Sequence, residues 1–374
     1  MYTPAFFRKY FWDMRAEQSI IDGAVPNTVP RLKQGLVAGF ASSPWADAAT
    51  IIPWTIFKHY GSVSLLEETY PSMRDWIDYK SRQAAAQGRT DFIDSGFHFA
   101  DWLALDNPEP GPFGKTDPHF IASVYYMHGA ALTAEAADRL GYTEDQDRFA
   151  ALAGRVRKVL LETYFDEMGN VKIDTQTASA MAIQFGLVEG EAKVREGAKL
   201  TQLIEAAGGH LTTGFVGTPL LLPALTAVGA HSTAVDLLLN EEYPGWLYCV
   251  NLGATTIWER WNSVLPDGSM NPEGMNSLNH YAYGSVMAWI YEELMGLKPL
   301  EPGFTKAILA PKPDRRLRYL KGKLDSAAGL YRSEWLYDEA GDLHYEFEIP
   351  YGCEAEVSLV DGRTFSLQHG MYKF

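Results

Sequence analysis

The octapeptide Thr255–Asn262, TTIWERWN, sets one carboxylate, Glu259, between two tryptophans and beside an arginine. Apolar walls raise the pKa of a carboxyl by disfavouring its charge, whereas a neighbouring guanidinium lowers it. A general base for water must be ionised yet poorly solvated, and this combination can supply one. The competing reading is a structural corner, with Glu259 paired to Arg260 or to a more distant cation.

Other side chains bear on that choice. Trp45, Trp54, Trp102, Trp246, Trp258 and Trp261 lie in or beside loops that also carry Asp47, Asp101, Asp106, Asn251 and Asn262. Sugars present apolar C–H faces ringed by hydroxyls, so their sites join flat aromatic surfaces to a few placed polar groups. Taken singly, each tryptophan reads as core. Several of them beside loop acids argue for a carbohydrate pocket. Asp47 reads equally well as the N-cap of a helix that begins near Ala48, and Asp22, in DGAVPNTVP, as a turn residue. His280, in SLNHYAYGS, is either a hydrogen-bonded core histidine or a donor to a sugar hydroxyl. His119 and His128, nine residues apart on a helix, do not share one face closely. No metal-ligand spacing, nucleophile elbow or phosphate-binding glycine motif occurs, so neither metal nor organic cofactor is expected.

The elements that must position these residues are mostly helical. Helical spacing begins at Thr3 or Pro4, with Phe6, Phe7, Tyr10, Phe11 and Met14. It continues in AATIIPWTIFKHY (48–60), apolar nearly all round, and in SLLEETYPSMRDWIDYKSRQAAA, where Pro71 marks a kink or break. Thr116 or Asp117 caps the next helix and Gly141 stops it; Thr143 caps another. Further helices are expected over 174–187, 191–207, 217–228, 231–240 and 277–296, the last opened by Ser277 and closed by Gly296. That is roughly ten helices in about 300 residues, paired as hairpins. A closed ring of hairpins would bury the inner helices and gather the long loops at one end. After Leu297 short runs of alternating residues are split by DEAGD and VDGRT, both hairpin turns, which predicts a small β-sandwich. The expected domains are 1–297 and 298–374.

Composition narrows the function classes. The chain of 374 residues is 47% hydrophobic, ample for a large core. Its net charge of −15 repels phosphate backbones and anionic lipid, and the densest basic run, Arg315 to Arg318, is short. No nucleic-acid partner is expected. No apolar run reaches the ~18–20 residues of a membrane span, so no membrane partner is expected either. Cys249 and Cys353 fit no metal motif or disulfide framework and read as free thiols, which suggests a reducing, cytoplasmic setting. A homo-oligomer remains open.

Five segments, in order, carry a resemblance: IDGAVPNTVP, SSPWADAATIIPWTIFKHYG, GFHFADWLALD, GHLTTGFVGTPLLLPAL and ATTIWERWNS with MNSLNHYAYGSVMAWIYEELMGL. Together they resemble the catalytic region of bacterial α-L-rhamnosidases of glycoside hydrolase family 78, over nearly the whole chain. The resemblance implies an (α/α)6 barrel followed by a C-terminal β-sandwich. It implies hydrolysis of terminal α-L-rhamnosides with inversion and without a cofactor, on a rhamnose-containing glycoside or oligosaccharide. Glu259 then corresponds to the general base and His280 to a substrate contact. Asp47, Trp54, Asp101 and Trp102 correspond to residues that hold the sugar. The family's general acid lies in a signature of the type D-C-P-Q-R-x-E-R followed by G-W-T-G-D, and this chain has neither. It begins just after the place where that signature should stand. A ring of six hairpins needs about twelve helices, so the barrel is expected to be incomplete at its N-terminus. An inverting pair stands ~6.5–9.5 Å apart, and Asp47 or Asp101 is the in-chain candidate for the second acid. The alternative is a non-catalytic or vestigial sugar-binding fragment, or one piece of an assembly whose other chain supplies the acid.

Overall fold

Nine helices follow one another as hairpins in a computed structural model of the chain, which describes residues 2–35, 38–39, 41–88, 91–107 and 111–374. They are α1 (Pro4–Ile20), α2 (Ala48–Tyr60), α3 (Val63–Ala86), α4 (Pro118–Leu140), α5 (Thr143–Tyr164), α6 (Gln176–Gln184), α7 (Gly190–Ala206), α8 (Thr218–Ala227) and α9 (His231–Leu239). A short α10 (Trp246–Asn251) follows. The helical part closes with a 3-10 turn (Ala282–Ser285), α11 (Val286–Trp289) and a π-helical turn (Ile290–Leu294).

Burial separates the helices into two layers. In α5 only Phe149, Leu152, Val156 and Leu160 are buried, one stripe at helical spacing that leaves the other faces to solvent. Its hairpin partner α4 is buried nearly all round, with small residues such as Ala122, Gly129 and Ala130 letting neighbours approach. The inner layer is thus α2, α4, α6, α8 and α11, in which α2 packs on α4, α6 on α8 and α8 on α11. The architecture is that of the (α/α)6 barrel of hairpins, with five inner helices among the described residues. Between α2 and the last helix it opens into a groove of about 770 Å³ lined by Phe7, Ile56, His59 and Tyr291, with Phe304 and Leu324 below.

Local signals explain most boundaries. Asp117 caps α4 by accepting from the His119 amide at 2.7 Å, and Gly141 ends it in the left-handed region. Pro71 neither breaks nor ends α3. Thr143 is the first residue of α5 and caps nothing. The last helix is later than expected, because the backbone of Ser277 and His280 is already paired with Glu259 and Ile257. Helical geometry therefore begins at Ala282, not at Ser277.

The C-terminal part is the expected β-sandwich. Its strands are β1 (Leu297–Pro299), β2 (Lys306–Leu309), β3 (Tyr319–Ser326), β4 (Gly329–Tyr337), β5 (Leu343–Ile349), β6 (Glu354–Ser358), β7 (Thr364–Leu367) and β8 (Gly370–Lys373). They form two four-stranded sheets, β1-β2-β6-β7 and β3-β4-β5-β8. The turns 338–342 and 359–363 join β4 to β5 and β6 to β7. Trp335 of β4 donates its indole N–H to the Leu294 carbonyl at 2.8 Å, and Ser333 bonds to that of Met295, which ties the sandwich to the end of the barrel. Cys249 and Cys353 are free and buried. Among the described residues no helix is long and apolar enough to cross a membrane, and no group of three His, Cys, Asp or Glu side chains stands together to hold a metal.

Candidate active site

The inner helices are α2, α4, α6, α8 and α11. The segments that precede them carry the candidate residues. Side-chain and backbone contacts join these segments into one continuous wall. Trp45 packs on Phe99 with ring centroids 4.9 Å apart, and Phe99 meets Trp102 edge to face at 5.4 Å. The Phe215 amide donates to the Trp102 carbonyl at 2.9 Å. The Phe215 ring stacks on His280 at 4.8 Å, and the His280 amide donates to the Ile257 carbonyl at 2.8 Å, two residues before Glu259.

Glu259 is half-buried and its carboxylate is only half used. The Ser277 amide donates to Oε2 at 3.0 Å, while the Glu259 amide donates to the Ser277 carbonyl at 2.9 Å. Oε1 accepts no hydrogen bond from the described residues. Arg260 turns away, donating to the Gly274 carbonyl and pairing with Glu273 at 3.2 Å. This removes the structural-corner reading of the Glu-Arg pair. Trp258 and Trp261 are both buried, and Trp261 stacks on Tyr283 at 4.0 Å and crosses Trp246 at 5.1 Å. The two flanking tryptophans are pegs that hold the segment while Glu259 stays reachable.

His280 has the chemistry of a neutral donor. Its Nδ1 accepts from the Ala282 amide at 3.3 Å, which assigns the proton to Nε2. Burial lowers its pKa, with the charge of Glu259 pulling the other way. A neutral imidazole with Nε2–H free suits a hydroxyl acceptor.

Asp47 is fully buried. Oδ1 accepts from Trp76 Nε1 at 2.9 Å and from Lys80 Nζ at 2.6 Å, and Oδ2 is buried without a partner among the described residues. It occupies the N-cap position of α2 but caps no amide, so that reading falls. Burial lowers the Lys80 pKa and Asp47 opposes the shift. An unpaired buried acceptor costs about 1–3 kcal/mol, a reason for Oδ2 to meet a donor from outside the chain.

Asp101 is different. Oδ1 accepts from the amides of Val216 (2.8 Å) and Gly217 (3.1 Å), while Oδ2 accepts from the Gly214 amide (2.9 Å) and the Thr177 hydroxyl. Burial pushes its pKa up and these four bonds pull it down. All four lone-pair positions are engaged. Contrary to expectation, nothing is left to hold a sugar. Asp101 positions the 212–217 loop, and through it Phe215, against Trp102.

The comparisons with known proteins bear on the same region. The bacterial alpha-L-rhamnosidase 6 hairpin glycosidase domain matches residues 1–294, and the bacterial alpha-L-rhamnosidase C-terminal domain matches residues 296–372. The chain belongs to the bacterial alpha-L-rhamnosidase family. It is 38% identical over 360 residues to an alpha-L-rhamnosidase of Alteromonas sp. (strain LOR), covering 94% of this chain and 38% of that one. Among solved structures it is similar to the Streptomyces avermitilis alpha-L-rhamnosidase complexed with L-rhamnose (TM-score 0.88, 30% identity), covering 100% of this chain and 36% of that one. It is also similar to the native Aspergillus terreus enzyme (TM-score 0.89, 28% identity), covering 100% of this chain and 43% of that one. The chain therefore spans less than half the length of these rhamnosidases.

Within this rhamnosidase barrel the structure joins Trp102, His280 and Glu259 through Phe215, and sets Asp47 two residues after Trp45. It separates Trp54, whose ring packs on Phe57 (5.3 Å) in a cluster with Leu66 and Leu132. Seven residues past Asp47 at ~1.5 Å each, it lies about 10 Å along α2. The expected sugar contact at Trp54 is not supported by this packing. Trp45, half-buried against Phe99, is the aromatic nearest Asp47 in sequence. Lys80 and Phe215 were missed. Lys80 sits in DYKSRQ, which reads as a solvated helix face, and nothing in GFVGTP marks Phe215 as a bridge.

Proposed function

We propose that this chain forms the main catalytic portion of an α-L-rhamnosidase that releases terminal L-rhamnose from a glycoside or oligosaccharide with inversion. The observation that carries the reading is the half-used carboxylate of Glu259, held by Ser277, two residues from the Ile257 carbonyl that accepts from the amide of a neutral His280 donor. Glu259 Oε1 takes a proton from water as that water attacks C1 on the face opposite the leaving group. His280 Nε2–H and Asp47 Oδ2 bond sugar hydroxyls, while half-buried Trp45, packed with buried Trp102 in one aromatic group, offers its surface to the C–H face.

The departing oxygen still needs a proton. Asp101 is engaged by four internal donors and Asp47 is paired with Lys80, so neither supports a role as general acid. The proton comes instead from a carboxyl outside these 374 residues, carried by a longer form of the protein or by a second chain. Losing such an acid costs about 10²–10⁴-fold, least for leaving groups that depart unprotonated. The chain alone is expected to cleave 4-nitrophenyl α-L-rhamnoside slowly, to release the β-anomer first by NMR, and to lose that turnover in Glu259→Gln. Normal turnover by Glu259→Gln would sink the assignment. Rhamnose binding without any Glu259-dependent turnover, in this chain or in a longer form, would favour the sugar-binding fragment, a reading that the fully engaged Asp101 also supports.

A further inference from the structure

A second polar cavity lies between the C-terminal half of α3 and the 93–98 loop. Its volume is about 150 Å³, and it shares no lining residue with the Trp45–Trp102 aromatic group or with Glu259 and His280. Three polar atoms of its lining are buried without a hydrogen-bond partner among the described residues: Ser43 Oγ, Ser95 Oγ and His98 Nε2. Ser43 is 0% exposed and His98 9%. Buried polar groups are paired in the great majority of cases, so three orphans around one cavity call for an occupant.

The donors can be assigned. His98 Nδ1 accepts from the Ser43 amide at 3.0 Å, which leaves the proton on Nε2. Burial, with help from Lys80 and His119, holds the ring neutral, while the Ser95 carbonyl acts in the opposite sense. Lys80, 3% exposed, lines the same cavity; Asp47 takes one of its three N–H groups. Two hydroxyls, an imidazole N–H and an ammonium therefore converge from the floor. Asp47, the carboxylate bonded to Lys80, is already paired with that ammonium. Above them the walls are aromatic, with Tyr79 half-buried and Phe97 53% exposed, and Gln83 and Gln87 stand exposed at the mouth. A donor-rich floor beneath aromatic walls matches a ring that bears a terminal oxyanion, since charge-assisted bonds to several donors are the strong ones. The net charge of −15 opposes this only weakly, because charges beyond ~8 Å are largely screened at physiological salt.

We propose that this cavity binds the carboxylate or sulfate group of an acidic sugar, as a site separate from Glu259. It does not depend on turnover there. The test is calorimetric titration of the whole chain with methyl α-D-glucuronopyranoside, with a sulfate ester of methyl α-L-rhamnoside, and with neutral methyl α-D-glucopyranoside. At least one acidic glycoside should bind tenfold or more tightly than the neutral one, and which one binds identifies the oxyanion. Ser43→Ala should weaken that binding about tenfold, while L-rhamnose binding is unchanged. Gln83→Trp, an exposed change at the mouth, should block it with no loss of thermal stability, which guards against a floor variant that merely unfolds. Equal binding of charged and neutral glycosides, binding of neither (a cavity that holds water alone), or binding that survives both variants would each overturn the proposal.

Discussion

Glu259 shows how much of a residue's function is set by where its neighbours turn. An arginine next in sequence would suppress basicity if it paired with the carboxylate, but Arg260 is drawn off by Glu273 and the Gly274 carbonyl. What remains is a backbone amide on one oxygen and nothing on the other. The histidines supply a pH test at the same scale. Burial holds His98 and His128 at about 4, well below their ordinary 6.5. Between these values the unfolded chain binds more protons than the native one, so stability rises with pH. The contribution is whole above about pH 6.5 and disappears as pH falls towards 4. For His98 it amounts to something on the order of 3 kcal/mol. Urea midpoints at pH 7 and 4.5 should therefore differ strongly, and less so in His98→Gln. An identical pH slope in that variant would contradict the assignment.

At the scale of elements, the decisive piece is the 212–217 loop before α8. Asp101 gathers three of its amides, and the flanking Ala100 and Leu103 adopt left-handed backbone conformations (φ 55° and 58°) to present that carboxylate. Such strain costs of order 1 kcal/mol or more per residue and persists only where the surroundings overdetermine it. Gly214 allows the close approach, because a Cβ there would run into the Trp102 carbonyl and the Ala104 amide. Gly214→Ala should cost about 2–3 kcal/mol by overpacking. It should also raise KM for an aryl rhamnoside more than it lowers kcat, since Phe215 would lose its seat under His280. Denaturant titration and steady-state kinetics check both. Unchanged stability and KM would show that the loop tolerates displacement.

For the whole molecule, the β-sandwich acts as a base plate for the barrel. Burial alone would raise the pKa of Glu293, at the end of the last helix, but the hydrogen bonds and charges of Lys298 and Lys312 together outweigh it and hold the carboxyl below its ordinary value. The Trp335 indole closes on the next carbonyl. Trp335→Phe should keep the packing but leave the buried Leu294 carbonyl unpaired, destabilising the protein by about 1–3 kcal/mol. Calorimetry should show barrel and sandwich melting together in the wild type. A separate early transition for the sandwich would mean that the two parts are coupled less tightly than this interface indicates.

Periodicity and punctuation in the sequence determined the helical hairpins, a cap at Thr116 or Asp117 and a stop at Gly141, and the change to strands after Leu297, because each is set by neighbours a few residues away. The same local logic placed Glu259 among aromatic residues and made Asp47, Asp101, Trp102 and His280 worth watching. It could not separate their roles. Asp101 and Asp47 look alike in sequence, each beside a tryptophan in a loop, yet one is consumed by amides more than a hundred residues away and the other keeps a bare oxygen beside a buried lysine. Trp54 and Trp45 likewise part company only because a helix carries one of them down its axis and away. Which donors reach which carboxylate depends on contacts between segments distant in the chain, and those are decided only when the barrel is assembled.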